Sequence, residues 1–356
     1  MKPNDTIGAK HLPKAWATIA PLKAIDTRRS PTSRLRGSNQ RPPWMKKLRT
    51  AVIGVGYLGK FHAEKYAGLP NSELIAVVDA NLANGQAIAE KNGCEALTQY
   101  QDLYGRVDAV SIAAPTVYHY QIAKDCLEHG IHVLIEKPIT VTVAEADELI
   151  ALAKSKQLLI QVGHLERFNA ALLALGDRLG TPKFIESHRL APFNPRANDV
   201  NVVLDLMIHD IDIIQNMVGS PIKSIAASGT KVLTDSTDIA NARIEFASGC
   251  VANVTASRVS LKTERKMRIF QEESCITIDF QNRSLKLYSK GDKEMFPGIP
   301  EIESEESIFE NNDALKVEII AFLDSIEQGK ATQVSGEDGR RALATAQEIS
   351  RLMQDA

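Results

Sequence analysis

The chain has few cysteines and no spacing that would put them to work. Its four (Cys94, Cys126, Cys250, Cys275) are scattered over 356 residues, with no CxxC pair. That argues against a disulfide framework or a zinc site, and for reduced structural thiols in a cytosolic protein. No apolar run is long enough to span a membrane. A basic surface is lacking too. Residues 1–44 carry nine Lys or Arg against two Asp, and the remainder 33 basic against 42 acidic residues. The net charge of −2 therefore hides an acidic body, which argues against nucleic-acid binding. What is present, 44% hydrophobic and 24% charged residues, is the composition of a soluble globular protein. Its length exceeds one ordinary core, so two domains are expected.

Residues 1–44 are Arg-rich and acid-poor, and hold both tryptophans, Trp16 and Trp44. They lack the continuous apolar stretch of a secretory signal. An organellar transit peptide and an upstream extension of the reading frame, with Met45 as the usual start, are the two readings. Either predicts a disordered leader that activity does not need.

From Leu48 the pattern turns regular. Residues Leu48 to Ile53 read as a strand that opens into Gly54-Val55-Gly56-Tyr57-Leu58-Gly59, followed by a helix from Tyr57 to about Ala67. The next strand ends in Asp79, twenty residues after Gly59. This is how a dinucleotide is held: glycines admit the pyrophosphate, the helix amino terminus supplies free N–H groups, and the acid accepts the ribose hydroxyls. Asp79 repels a 2′-phosphate, and Ala80 and Asn81 bring no cation to bind one. NAD is favoured over NADP.

Strand and helix alternate to Gly163, enough for a doubly wound parallel sheet. Ala114-Pro115-Thr116 and Glu136-Lys137 fall at the carboxyl ends of neighbouring strands, the edge where such sheets bind ligands. Gly54, Gly56, Tyr57, Leu58, Gly59, Asp79, Ala114, Pro115, Thr116, Glu136 and Lys137 are thus the expected cofactor contacts. Pro138 sets Lys137 in extended backbone at that edge. Beyond Gly163, hairpin-spaced strands from Lys183 to Tyr288 predict a mostly antiparallel sheet, with helices at 313–328 and 336–353. The fold class is α/β: a Rossmann dinucleotide-binding domain (45–163), then an α+β domain with an open sheet (164–356). The open face, with Asn241, Arg243, Asn253 and Arg258, suggests a partner surface.

One helix of the second half, Asn201 to Val218, is apolar at most of its positions, and against these Asp205, His209, Asp212 and Asn216 fall at i, i+4, i+7 and i+11. The stripe is narrow for a solvated face, and its residue types suit acid–base chemistry. Asp205 is expected to hold His209 in one tautomer and to favour its imidazolium. Asp212 has no assignable role. No further ligand cluster accompanies these residues, so no metal is expected.

The strand before GVGYLG, then VVDA, AAPTVYHY and IEKPIT together resemble the glucose–fructose oxidoreductase/inositol dehydrogenase/rhizopine-catabolism (GFO/IDH/MocA) family, over nearly all of the chain after Met45. The resemblance implies hydride transfer between NAD and a sugar hydroxyl. It implies that Lys137 touches both the nicotinamide ribose and the reacting hydroxyl, and that Asp205 and His209 match the family's acid–base pair. It also supports a homo-oligomer, dimer or tetramer, built through the second sheet.

A finer signature, Gly163-His164-Leu165-Glu166-Arg167-Phe168-Asn169 with Asp205-Leu206-Met207-Ile208-His209-Asp210-Ile211-Asp212, resembles the branch that oxidises C3 of UDP-N-acetylglucosamine. Its product is the 3-keto sugar nucleotide that is later aminated for lipid A. Arg167, or Arg189, would suit a substrate diphosphate, and a structural ion pair is the alternative for each. The substrate contacts expected are Lys137, Arg167, Asp205 and His209; Lys137, His209 and Asp205 are the expected catalytic set. Other readings are a dehydrogenase of inositol, another polyol or a UDP-hexosamine uronate, an NAD-dependent glycosidase, and a non-catalytic NAD sensor.

Overall fold

The computed structural model describes residues 47–194, 200–310 and 313–354. The expectations for residues 1–44 lie outside the described residues. Two sheets organise the rest. The first is built from β1 (Leu48–Ile53), β2 (Ser72–Val78), β3 (Glu95–Leu97), β4 (Ala109–Ile112), β5 (His132–Glu136) and β6 (Ile160–Gly163), in the order β3-β2-β1-β4-β5-β6 with every pairing parallel. Helices α1 (Gly59–Gly68), α2 (Leu82–Asn92), α3 (His119–Glu128) and α4 (Val143–Lys156) make the crossovers. Strands β1, β4 and β5 are buried almost throughout, as an all-parallel sheet covered on both faces requires. The order reverses between β1 and β4, the switch point at which such sheets open a crevice at their carboxyl edge.

A short helix, α5 (Ala170–Leu173), leads into the second sheet. Its strands are β7 (Phe184–Leu190), β8 (Ile222–Thr230), β9 (Ile239–Phe246), β10 (Val251–Ser257), β11 (Glu264–Gln271), β12 (Ser274–Asp279), β13 (Ser284–Phe296) and β14 (Ile299–Ile308), ordered β14-β13-β12-β11-β7-β10-β9-β8. Only β7 and β10 run parallel. Alternation along β9, with Ala240, Ala242, Ile244 and Phe246 inward and Asn241 and Arg243 exposed, leaves one face open. Arg258 is not on that face. It is 3% exposed, and its Nε donates to Asp238 at 2.7 Å, because a buried guanidinium must be paired.

Helix α6 (Ile208–Val218) continues from a π turn over Val203–Met207 and packs its apolar side against the second sheet. The last helices cross the boundary that chain order suggests at residue 164. In α7 (Ala314–Gln328), Ile319, Phe322 and Leu323 pack with Val52, Val77 and Leu134 under the first sheet. In α8 (Gly336–Leu352), Leu343 joins the first core, and Ala342, Ala346 and Ile349 join the second. The two halves are thus held together by elements from the end of the chain.

Candidate active site

The glycine turn is shaped by close approach. Gly54 has φ +85°, and a Cβ there would lie 2.6 Å from the Ala114 amide nitrogen; at Gly59 it would lie 1.8 Å from the Gly54 carbonyl oxygen. At Gly56 it would meet nothing within 4 Å. Gly54 and Gly59 therefore let β1, the turn and the β4 loop nest, while Gly56 faces the open crevice. Helix α1 starts at Gly59, two residues later than the spacing predicts, so Tyr57 and Leu58 stand in the turn, and both are exposed. Asp79, just past β2, accepts from the Val55 amide at 3.0 Å and from the Asn81 amide at 2.9 Å. Each carboxylate oxygen has a second lone pair, so this anchoring leaves acceptor capacity for ribose hydroxyls. An open glycine, an exposed helix start and an acid at the next strand fit a dinucleotide.

The rim beside it is tied together by a histidine that sequence reasoning passed over. The ring nitrogens of His119 face the carbonyl oxygens of Ala114 (2.8 Å) and Pro138 (2.9 Å). They connect the Ala114-Pro115-Thr116 loop to the segment after Lys137. The Lys137–Pro138 bond is cis. His119 is 1% exposed, and burial pushes its pKa down.

Lys137 leaves β5 and reaches the π turn that precedes α6. Its Nζ donates to the main-chain oxygen of Asp205 at 2.7 Å, and the Asp205 carboxylate lies 3.7 Å away. A π turn takes carbonyls out of the α-helical ladder, and such turns recur at functional sites. Burial pulls the Lys137 pKa below the ordinary lysine value, against the carboxylates of Asp205 and Glu136, with Arg189 adding to the fall.

His209, one turn on, is half-buried, and its Nδ1 has no hydrogen-bond partner. The expectation that Asp205 orients it and favours its imidazolium is corrected here. Asp205 points at Lys137, and no Asp205–His209 hydrogen bond is formed among the described contacts. Burial, then the charges of Lys137 and Arg189, hold His209 well below the ordinary histidine range. What packs against it is His164, edge to face at 6.3 Å and 87°. His164 is 1% exposed with both ring nitrogens unpartnered, and burial lowers its pKa against the pull of Asp212.

Arg167 is 4% exposed and lies 3.7 Å from both Asp212 and Asp338. Arg189 is equally buried, holding Asp210 through two bonds of 3.1 and 2.8 Å and Glu166 at 3.0 Å. The Arg189 guanidinium falls under the ion-pair alternative, since buried donors demand acceptors close by, whereas Arg167 has its two carboxylates at 3.7 Å and Nη1 without a hydrogen-bond partner. Asp212, which had no role, is the Arg167 partner. Among the described residues no group of His, Cys, Asp and Glu could hold a metal, and no helix is long and apolar enough to cross a membrane.

Two family models match this architecture: the NAD-binding Rossmann fold of an oxidoreductase family over residues 48–164, and the GFO/IDH/MocA C-terminal domain over 172–277. A UDP-N-acetylglucosamine 3-dehydrogenase from Acidithiobacillus ferrooxidans is 40% identical over 306 residues, 86% of this chain and 97% of that protein. The chain belongs to the GFO/IDH/MocA oxidoreductase family. As a member it is an NAD-binding oxidoreductase acting on CH–OH groups. A solved structure of the same Acidithiobacillus enzyme superposes with a TM-score of 0.81, at 37% identity over 87% of this chain and 99% of that one. A scyllo-inositol 2-dehydrogenase (NAD+) from Bacillus subtilis is 29% identical over 60% of this chain and 68% of that protein. Levoglucosan dehydrogenase in complex with NADH shares the fold, at TM-score 0.79 and 19% identity, over 87% of this chain and 98% of that one.

Proposed function

We propose that this family member oxidises the C3 hydroxyl of UDP-N-acetylglucosamine to the ketone, using NAD. The observation that carries the substrate class is the 40% identity, over nearly the full length of both chains, to an enzyme named for that reaction. The chemistry is assigned to Lys137, from the first half of the chain, and to His209, from the second.

Gly54, Gly56, Tyr57, Leu58 and Gly59 would hold the pyrophosphate, Asp79 the adenosine ribose, and Ala114, Pro115, Thr116, Glu136 and Lys137 the nicotinamide side. Bound there, the dinucleotide supplies the hydride acceptor. His209, kept unprotonated by burial and by the cations around it, takes the hydroxyl proton as general base. Lys137, an ammonium whose position the Asp205 carbonyl fixes, donates to the substrate oxygen and stabilises its developing negative charge. Asp205 serves Lys137. Substrate contacts are assigned to Lys137, Arg167, Asp205 and His209. A homo-oligomer through the open face of the second sheet is part of the proposal, supported by the alternation that leaves Asn241 and Arg243 exposed.

The test is NADH formation by the purified protein with NAD and UDP-N-acetylglucosamine, beside myo-inositol and glucose, with a ketone-trapping amine present. Turnover of the UDP-sugar alone, lost in Lys137→Ala, is expected. Turnover of a free polyol in its place would overturn the substrate and keep the chemistry.

A further inference from the structure

Behind the lysine runs a buried chain of hydrogen bonds that the oxidation mechanism does not use. The Tyr66 hydroxyl lies 2.9 Å from Ser111 Oγ, which lies 3.1 Å from His62 Nδ1. His62 Nε2 lies 3.0 Å from Glu136 Oε1, and Glu136 Oε2 accepts from the Lys137 amide at 3.3 Å. Tyr66, Ser111 and His62 are at most 1% exposed. One direction of donation satisfies every member. Nε2–H donates to the carboxylate, so Nδ1 accepts from the Ser111 hydroxyl, and Ser111 accepts from Tyr66. The reverse direction would point a ring lone pair at an anion. Tyr66 and His62 come from α1, the helix that begins at the glycine turn, and Ser111 from β4. The chain therefore links the cofactor turn to the reactive end of β5.

We propose that His62 is a positioning residue for the catalytic lysine: carried by Ser111 and Tyr66, it fixes the Glu136 carboxylate beside Lys137 and thereby the ammonium that acts on the substrate oxygen. This rests on the reading of Lys137 given above. Glu136 is faced by His62 from α1, by Lys137 on its own strand and by Glu318 from α7. Lys137 is faced by Glu136, by Asp205 from the π turn, by His209 from α6, by His164 after β6 and by Arg189 from β7. Among the described residues, His62 and the Lys137 amide hydrogen-bond Glu136. Burial disfavours the Glu136 charge, and His62 and Lys137 outweigh it and hold the carboxyl below the usual range. Without Nε2–H the carboxylate would lose the His62 donor, and Lys137 an anion that helps keep it charged.

The experiment compares His62→Ala, His62→Gln and Ser111→Ala with the parent. The readouts are kcat and KM for the sugar nucleotide across pH, NAD binding, and melting temperature. His62→Ala is expected to lower kcat roughly tenfold, the low end of the usual cost of removing a group that orients a reactive one. It should leave KM near the parent value and move the alkaline limb of kcat to lower pH. His62→Gln, whose amide N–H replaces Nε2–H, should recover most of both effects. An alkaline limb in folded His62→Ala identical to the parent's would overturn the proposal. So would equal impairment of folded Ala and Gln variants, since the ring would then only fill space. A second readout needs no turnover: ring ¹⁵N shifts of His62 in the wild-type protein. A proton on Nε2 is expected, and a ring protonated on Nδ1 alone overturns the assignment even if the substrate proves to be another alcohol. Absence of turnover with the UDP-sugar, beside the expected ¹⁵N shifts, would count against the proposed function and leave the positioning role standing.

Discussion

Lys137 Nζ donates to the main-chain oxygen of Asp205 at 2.7 Å, while the Asp205 carboxylate stands 3.7 Å away. The backbone, through its π turn, sets where the ammonium sits, and the carboxylate mainly adds charge. Asp205→Asn should therefore leave Lys137 in place and weaken its charge. The alkaline limb of kcat is expected to fall by about one pH unit, or about 1.4 kcal/mol. The acid limb, which belongs to His209, should stay where it is. A pH–rate profile of the variant checks this, and movement of the acid limb instead would restore Asp205 as the partner of His209.

His209 and Lys137 are both displaced downward from their ordinary pKa values, which gives the pH profile of kcat/KM a definite shape. The base must be unprotonated, and burial with Lys137 and Arg189 nearby extends that state well below pH 6.5. The acid must be protonated, and burial ends that state below pH 10.5. Activity should persist to pH values where an ordinary histidine is charged, and decline on the alkaline side earlier than an ordinary lysine implies. An acid limb centred near 6.5 or above would remove His209 from the base role.

Replacement of either residue should be costly. His209→Ala and Lys137→Ala are each expected to lower kcat by about a hundredfold or more, the usual contribution of acid–base catalysis. NAD affinity should survive His209→Ala, because no part of the glycine turn or of Asp79 touches it. Single-turnover NADH formation and equilibrium NAD binding, measured on the same preparations, separate the two effects.

The parallel sheet was legible because its signals are local. Strand, glycine turn, helix and acid follow one another within about thirty residues, the length of a βαβ unit. Strand β14 was not legible. Its run from Glu301 to Glu306 carries four glutamates and no alternation, and it is held by pairing with β13, including Lys286 to Glu306 at 3.0 Å. The partner of Asp205 was misjudged because i, i+4 spacing assumes a regular helix, and the π turn at Val203–Met207 interrupts it. His62, His119 and His164 act through partners up to 74 positions away or through ring packing, which no spacing rule reaches. The buried fates of Arg167 and Arg189 depend on which carboxylates the tertiary fold delivers.

Asp79 offers a test of cofactor choice that keeps one of its two turn contacts. Its two oxygens hold the Val55 and Asn81 amides, so Asp79→Ala would disturb the loop as well as the charge. Asp79→Asn preserves an acceptor and removes the anion that repels a 2′-phosphate. The preference for NAD over NADP in kcat/KM is expected to narrow by about tenfold, equivalent to about 1.4 kcal/mol. An unchanged ratio would place discrimination elsewhere in the crevice.

Glu318 lies fully buried in α7 with neither carboxyl oxygen hydrogen-bonded, and burial together with the Glu136 charge raises its pKa well above the ordinary value. The folded protein therefore keeps a proton there that the unfolded chain releases above about pH 4.5. Between those two pKa values folding takes up a proton, so stability from this group is complete below pH 4.5 and declines as pH rises. Glu318→Gln removes the titration. Its stability relative to the parent should improve with pH by about 1.4 kcal/mol per unit over that window. Denaturant unfolding of the two proteins at pH 5, 6 and 7 checks the slope, and a difference that stays constant with pH would show that Glu318 is ionised in the fold.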